Sequence, residues 1–371
     1  MLPSARNSLV SLSTRFPCRV ARSRARALST IDGSEFTPRT EFPFSSNLIK
    51  SYFLGHHKAG LSKMKQMVSS VELIIECRDY RVPLSSRNPL FEETLQGRER
   101  IIVYTKRDLA ADVLNFRTQE IIQKWHAPHK VLFSDCKDKG DVQKIIHYAR
   151  NTARNADHMT GSRMLVVGMP NVGKSSLLNA MRKVGTGSNV KAAITGGQPG
   201  VTRKIATGVK ISEDPLVYLI DSPGVFVPYM PNPQTMLSLA LVGCVDSSLL
   251  PTTSIADYLL YHLNLVDPRL YSAYHPPTND IMELLEATAK ITGRLKKGGV
   301  PEIEGTANWL INRYRSGVMG RFILDDVSET AYEKWLEDES NQGESLSAAK
   351  RRVKVERKEA RVKKRMESEA K

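Results

Sequence analysis

The stretch Met164-Leu-Val-Val-Gly168-Met-Pro-Asn-Val-Gly173-Lys174-Ser175 is the strongest indication of fold class in this 371-residue chain. Its apolar first half predicts a short buried strand, and the residues that follow it, SLLNAMRK (176–183), are compatible with a helix. The spacing GxxxxGK[ST] between strand and helix is that of a phosphate-binding loop. Glycines permit the tight turn, and backbone N–H groups at the helix start can bind phosphate oxygens. The chain is therefore expected to contain an α/β nucleotide-binding domain.

The side chains and the backbone of this loop have separate expected roles. Lys174 would bring positive charge to the β- and γ-phosphates, and the Ser175 hydroxyl would ligate Mg²⁺. The residues expected to line the phosphate pocket are Asn171, Val172, Gly173, Lys174, Ser175 and Ser176.

A second phosphate-sensing motif follows further along the chain. The stretch LVYLID-Ser-Pro-Gly places Asp221 at a strand end and Gly224 in the DxxG position. Asp221 would hold Mg²⁺ through water, and the Gly224 N–H would sense the γ-phosphate. Between the two motifs, a glycine-rich stretch ends in Thr202, which would close on Mg²⁺ when a triphosphate is bound. Position 225 is Val, which cannot orient a water molecule as the glutamine of Ras-like enzymes does, so slow intrinsic hydrolysis is expected.

Base recognition is expected from the stretch TKRD (105–108), which is similar to the [NT]KxD guanine motif. The Asp108 carboxylate would accept hydrogen bonds from guanine N1–H and the 2-amino group, which adenine cannot supply, while the Lys106 stem would pack on the base. Asparagine is commoner than Thr105 at the first position. A loop at 134–136 would present a backbone N–H to the guanine oxygen. The residues expected to bind the base are Thr105, Lys106, Asp108, Ser134 and Cys136.

Six short apolar runs predict the strands of an α/β fold with a doubly wound, mostly parallel sheet. They are residues 71–76, 101–104, 130–134, 164–168, 204–211 and 216–221, with helical stretches around 113–125 and 141–154. Such runs are consistent with parallel strands that deliver functional loops at their carboxyl ends. The guanine motif precedes the phosphate loop, which reverses the order of ordinary GTPases and predicts a circular permutation. The nucleotide domain is expected at 51–228.

A C-terminal α-helical domain is expected at 229–330. Its helical patterns are residues 256–266, 281–295 and 306–317, whose apolar periodicity mainly makes a helical core. The chain enters this domain directly after the DxxG motif. The helical domain is therefore linked through the chain to the residues that sense the nucleotide.

The net charge of +15 is concentrated at the two ends of the chain. Residues 1–30 contain six arginines and no acidic residue, and residues 350–371 contain eleven basic and four acidic residues, which leaves +2 for the rest. The first segment (1–30) is typical of a mitochondrial transit peptide, with a disordered basic arm as the alternative. A linker is expected at 31–50. The segment 331–371 is expected to be a basic tail, either a solvated face or an RNA contact.

The sequence argues against a transmembrane protein and against a fold built on zinc or disulfides. The most apolar stretch, around 236–250, carries Asp246 and is too short to cross a bilayer, so no transmembrane helix is expected. The four cysteines have no CxxC spacing, which argues against a zinc site and against a disulfide framework.

Several other stretches make the chain similar to the circularly permuted GTPases of ribosome assembly, in the YlqF-like branch that includes the mitochondrial ribosome-assembly GTPases. YFLGHHKAGL (52–61) resembles the family's WFPGHMAKGL, and CRDYRVPLSSRNP (77–89) resembles its DARIPxSxRNP. The stretches 298–304 and 313–325 look like parts of the family's C-terminal helical domain. The departures are Leu54, His57, Thr105 and the long basic tail, and none touches the phosphate loop.

The resemblance implies a GTP-binding and GTP-hydrolysing switch in the mitochondrial matrix, with GTP as substrate and GDP as product. Its implied partner is the mitochondrial large ribosomal subunit, reached through rRNA. The resemblance also implies a catalytic part for His56, which on its own would more often be structural or exposed. In related GTPases an asparagine at this place in the phosphate loop helps to bind K⁺, which implies the same role for Asn171. A turn-stabilising role for Asn171 is the alternative.

Two other function classes compete with this interpretation. A metabolic phosphotransferase could use a phosphate loop, but the guanine motif, DxxG and Val225 together describe a switch. A GTPase that regulates a protein complex at the matrix side of the inner membrane, as a peripheral protein without direct rRNA binding, stays open as the alternative.

Overall fold

The computed structural model of the protein describes residues 36–44, 62, 64–95, 97–110, 116–156, 161–188, 190, 208–225, 232–246 and 249–341. The strands are β1 (Leu73–Asp79), β2 (Glu99–Thr105), β3 (Lys130–Phe133), β4 (Ser162–Gly168), β5 (Val209–Glu213) and β6 (Leu216–Asp221). The helices are α1 (Pro89–Thr94), α2 (Phe116–Trp125), α3 (Lys139–Ala156), α4 (Lys174–Thr186), α5 (Pro233–Val242), α6 (Thr252–Val266), α7 (Ile281–Thr292), α8 (Ile303–Arg315) and α9 (Ala331–Asn341).

The six strands form one sheet in the order β3-β2-β1-β4-β6-β5. The first five strands of that order pair in parallel, which confirms the expected α/β fold with a mostly parallel sheet. The exception to the parallel arrangement is β5, which pairs antiparallel with β6. Only Asp214 and Pro215 separate these two strands, and a connection of two residues makes a hairpin because a parallel crossover needs a dozen or more residues.

Successive residues of the central strand β1 point to opposite faces of the sheet, and both faces are covered. Ile75 belongs to the cluster that includes residues of α3 and α4, whereas its neighbour Ile74 packs with Met64 and Phe91 on the other face. All seven residues of β1 are buried. This is the doubly wound arrangement, and here we call the sheet with its flanking helices the sheet domain.

Helices α5 to α8 form the helical domain, whose core is continuous with one face of the sheet. Leu237, Leu259 and Leu310 share that cluster with Val166 of β4. Helix α5 begins after Asn232, whose side chain accepts the Gln234 N–H, with proline at the first helical position. The apolar pattern predicts that helix α7 continues to residue 295, but the helix ends at Thr292. Gly293 takes a left-handed conformation with φ 71° and caps the helix there.

Part of the segment expected to be a linker packs against the helical domain. Arg39 forms an ion pair with Asp257 at 2.6 Å, and the Phe42 ring lies edge-on to Tyr258 at 5.2 Å. Residues 36–44, which we call the strap, therefore pack against α6. The expected transit peptide and the rest of the expected linker lie outside the described residues.

The chain returns from the helical domain to the sheet domain before it reaches the basic end. The Asp325 carboxylate accepts the N–H groups of Leu84 and Ser85, each at 2.8 Å. Helix α9 then packs on α2, with Tyr332 stacked on Trp125 at a ring distance of 5.9 Å. The first part of the expected basic tail is therefore a helix, because its aromatic residues bury against the sheet domain. Residues 342–371 lie outside the described residues.

Candidate nucleotide-binding site

The expected nucleotide-binding loops begin at one edge of the sheet. In the strand register, Asp79 lies opposite Thr105, Cys77 opposite Gly168, and Val166 opposite Asp221. Parallel strands put their carboxyl ends at the same edge, and ligands of such sheets bind in the crevice outside that edge. The guanine motif after β2 and the phosphate loop after β4 therefore flank the end of β1.

The backbone of the phosphate loop requires glycine at its first position. Gly168 has φ 150°, and a Cβ atom there would lie 2.4 Å from the Cys77 carbonyl oxygen of the neighbouring strand. Gly173, with φ 98°, leads into helix α4. Because the first N–H groups of a helix have no partner within it, the start of α4 presents donors to the loop.

The Lys174 side chain folds back over the loop that precedes it. Its Nζ atom donates to the carbonyl oxygens of Met169 at 2.6 Å and Gly168 at 3.2 Å. Burial lowers the pKa of this ammonium, and the nearby Asp221 carboxylate opposes that shift. A buried cation held by neutral carbonyls would gain a charged partner if a phosphate entered the loop.

Ser175 and Asp221 form a pair of oxygen groups that fits Mg²⁺. The Ser175 hydroxyl donates to Asp221 Oδ2 at 2.7 Å, and the other carboxylate oxygen, Oδ1, is buried and accepts no hydrogen bond in the part of the chain that the structure describes. Burial raises the pKa of Asp221, although Lys174 opposes the shift. Mg²⁺ prefers such hard oxygen ligands, and when bound it would neutralise phosphate charge.

The DxxG segment packs directly on the phosphate loop. A Cβ atom on Gly224 would lie 2.6 Å from the Cα atom of Pro170, so only glycine permits this approach. The Val225 side chain is fully buried, its N–H donates to Gly168 O at 3.3 Å, and its carbonyl accepts from the Asn88 amide at 2.9 Å. Position 225 therefore contributes to the core and brings no side-chain hydrogen-bonding group to the pocket.

The guanine motif contacts the phosphate loop through its first two residues. The Thr105 hydroxyl hydrogen-bonds to the carbonyl oxygen of Val172, and it lies 3.1 Å from that of Arg78. Thr105 therefore joins the end of β1 to the phosphate loop, although asparagine is commoner at this position. Lys106 has a left-handed backbone with φ 56°, and its Nζ atom donates to Asn171 O at 2.6 Å.

Asp108 and the loop after β3 lie side by side. Asp108 is in a short 3-10 turn (Arg107–Leu109) and pairs with the exposed Lys137 at 3.2 Å. The Arg107 N–H donates to the carbonyl oxygen of the buried Ser134 at 3.4 Å, which joins the two loops. Burial raises the pKa of Cys136 to about 12, so its thiol is neutral near pH 7. The structure thus brings together the residues predicted for the base pocket.

Four residues of the expected or observed site are not covered by the contacts above. His56 and Thr202 lie outside the described residues. Asp79 contacts Lys106 of the guanine motif, and Arg81 binds Asp79 and the Val242 carbonyl oxygen of α5, but in the sequence both residues are only part of the stretch that resembles a family motif. No spacing rule identifies them, because their contacts join segments far apart in the chain.

Replacing Asp108 with Asn tests the base pocket. The substitution removes a charged acceptor of two hydrogen bonds, each worth about 1.5–3 kcal/mol, so GDP affinity should fall by roughly a hundredfold or more. Xanthine nucleotides carry an acceptor at C2 and should bind the variant better than the original chain. Titration calorimetry with both nucleotides measures this.

Asp138→Asn is the matched control for that experiment. Asp138 caps the start of α3 by accepting the Gly140 N–H at 2.7 Å, a role that asparagine can keep. Equal GDP affinity in the two variants would contradict the assignment of Asp108.

Comparison with known proteins gives consistent matches. The family described as 50S ribosome-binding GTPase matches residues 163–290. Mitochondrial GTPase 1 of Schizosaccharomyces pombe is 36% identical over 317 residues, which cover 80% of this chain and 96% of that protein. Mitochondrial ribosome-associated GTPase 1 of Mus musculus is 33% identical over 311 residues, which cover 76% of this chain and 92% of that protein.

Among solved structures, GNP-bound YlqF from T. maritima matches with 22% identity and a TM-score of 0.49, over 72% of this chain and 97% of that chain. The sequence relatives are matched over nearly their whole length at more than 30% identity. The chain therefore belongs to the family of GTPases that includes mitochondrial GTPase 1 and mitochondrial ribosome-associated GTPase 1.

Proposed function

We propose that the protein is a GTP-hydrolysing switch that acts in assembly of the mitochondrial large ribosomal subunit and so supports mitochondrial translation. The observation that carries the proposal is a bond between the phosphate loop and the helical domain: the Asn171 amide donates to Gly243 O at 2.8 Å. A change of nucleotide at the loop would reach the helices through this contact. Relatives named mitochondrial ribosome-associated GTPase 1 support a ribosomal partner.

The proposed location is the mitochondrial matrix. The names of the relatives and the arginine-rich composition of residues 1–30 support it. None of the helices in the described ranges is both long enough and apolar enough to span a bilayer. Peripheral association with the inner membrane belongs to the alternative, in which the protein regulates a membrane-bound complex.

A cationic surface of the helical domain supports contact with RNA. The guanidinium carbons of Arg294 and Arg313 lie 4.4 Å and 4.8 Å from the ring centroid of Trp309. Among the described residues, neither guanidinium has a carboxylate partner. The indole thus holds two like charges in place without neutralising them, and such guanidinium groups suit phosphates and bases.

A glycine turn extends this surface. Leu295 and Pro301 form an isolated bridge, and between them the Gly299 N–H donates to Lys296 O at 3.1 Å. The turn presents Lys296 and Lys297 to solvent next to Arg294. We call Arg294, Lys296, Lys297, Trp309 and Arg313 the cationic surface.

Co-sedimentation with large-subunit precursors from mitochondria tests the proposal. Binding should be tighter with non-hydrolysable GTP than with GDP. The double variant Arg294→Gln, Arg313→Gln should lower the slope of log affinity against log salt by about two, since two phosphate contacts would be lost. Arg269→Gln is the matched control, because that cation already pairs with Asp267 at 3.0 Å in the same domain.

Three outcomes would argue against parts of this account. Equal binding with GTP analogue and GDP would count against the ribosomal role. Nuclease-resistant association with an inner-membrane protein complex would favour the alternative. An unchanged salt slope in the double variant would exclude the cationic surface as the RNA contact.

Hydrolysis needs a group that Val225 cannot supply. We assign that part to His56, by its match to the family's GHM motif. Asn171 can also contribute: its amide nitrogen is bound to Gly243, and its amide oxygen is the atom that could ligate K⁺. Mg²⁺ held by Ser175, Asp221 and Thr202 would neutralise phosphate charge, while Lys174 and the N–H groups of the loop orient the phosphates.

Ribosome-stimulated GTP turnover, measured in KCl and in NaCl, tests both assignments. His56→Ala should lower stimulated turnover by about a hundredfold, the typical contribution of one proton-transfer group, and spare binding of a GTP analogue. His57→Ala is the control, since it removes the adjacent imidazole. Unchanged turnover in His56→Ala would exclude the histidine, and equal rates in the two salts would exclude K⁺.

A further inference from the structure

A buried carboxylate lies between the two nucleotide-binding loops. Asp79 ends β1, the strand between β2, which leads into the guanine motif, and β4, which leads into the phosphate loop. Its side chain is fully buried. A carboxylate in such a place needs charged or hydrogen-bonding partners, because an isolated buried charge is very costly.

Two cations supply those partners. Lys106 Nζ donates to Asp79 Oδ2 at 2.8 Å. The Arg81 guanidinium forms a bidentate contact with the Asp79 carboxylate, in which Nε donates to Oδ1 at 3.0 Å and Nη2 donates to Oδ2 at 2.8 Å. Burial alone would raise the pKa of Asp79, but Arg81 and Lys106 hold it well below its usual range.

Lys106 is held on two sides by these contacts. Its ammonium lies between the Asp79 carboxylate and the carbonyl oxygen of Asn171, at 2.8 Å and 2.6 Å. Its left-handed backbone, with φ 56°, is rare for a residue with a side chain and persists where surrounding contacts fix it. The stem that would pack on the guanine base is therefore fixed at its charged end by Asp79.

Arg81 extends the same network into the helical domain. Its Nη2 atom also lies 3.4 Å from Val242 O, at the carboxyl end of α5. The next carbonyl, of Gly243, accepts from Asn171. The carbonyls of Leu241 and Ala240 accept from Arg315 of α8 at 2.9 Å and 2.8 Å. Cations are favourable at this end of a helix, because the helix dipole is negative there.

We infer that Asp79 is a positioning residue for base recognition, which fixes the Lys106 side chain for the guanine base and, through Arg81, joins the base pocket to α5. The inference rests on the proposed role of Lys106 in binding guanine nucleotides. It adds that a residue outside the guanine motif sets nucleotide affinity through one named lysine. By linkage, a partner that moves α5 would also change guanine-nucleotide affinity.

A double-mutant cycle on GDP affinity tests the inference with the full chain. Asp79→Asn should weaken GDP binding by about tenfold through loss of one charged contact to Lys106, and Lys106→Met should weaken it by about as much. The double variant should show about the same tenfold loss, because both changes remove one shared contact. A general structural role for Asp79 would instead give losses that multiply.

Glu76→Gln is the matched control for the cycle. Glu76 is a buried carboxylate on the same strand, paired with Arg78 at 2.6 Å and Arg100 at 3.2 Å, but it has no contact with Lys106. This variant should lower thermal stability and leave GDP affinity unchanged.

Several results would overturn the inference. A GDP affinity of Asp79→Asn equal to that of the unmodified chain would exclude the role of Asp79. A hundredfold loss of GDP affinity in the double variant would show that the two residues act independently. If Asp79→Asn does not fold, Lys106→Met decides: GDP affinity equal to that of the original chain would exclude positioning through this lysine. Since GDP binding is measured without ribosomes, failure of the ribosomal role would not affect the result.

Discussion

The pairing of β1 with β2 on one side and with β4 on the other determines where the nucleotide-binding loops meet. Three parallel strands end at one edge, so the guanine motif and the phosphate loop must meet there whatever their order along the chain. Asp79, at the end of the middle strand, is then buried between them and binds two cations, Lys106 of the guanine motif and Arg81, which follows β1. Circular permutation changes where the chain leaves the sheet, and it preserves the pocket.

The point at which the chain leaves the sheet domain connects the nucleotide pocket to the helical domain. After β6 and the DxxG residues, the chain enters α5, whose last carbonyls return to the edge of the pocket. Two of these carbonyls are bound by the sheet domain and two by Arg315 of the helical domain. A nucleotide that shifts the phosphate loop would therefore act on a helix end that is fixed by directional bonds. The return of Asp325 and α9 to the sheet domain holds the other end of the helical domain.

Sequence patterns predicted the parts that depend on local order. The strands, the phosphate loop and the Ser175–Asp221 pair follow from apolar runs and motif spacing, since each is set by a few consecutive residues. The antiparallel β5 could have been recognised from the two-residue Asp214-Pro215 connection, which is too short for a crossover. The strap at 36–44 and helix α9 could not, because both are held by contacts with segments far away in the chain. The same is true of Asp79, whose role depends on Lys106 and Arg81 meeting it in space, and of Asn171, whose bond to Gly243 no motif specifies.

The nucleotide loops and the helical domain are joined at the carboxyl end of α5. Amide hydrogen exchange of residues 233–246, measured without nucleotide and with GDP, a GTP analogue and an ATP analogue, tests it most directly. Guanine nucleotides should change protection in the last turn of α5 together with the phosphate loop, and the ATP analogue should change neither. Protection of the phosphate loop by the GTP analogue, with α5 exchanging as it does without nucleotide, would exclude this coupling.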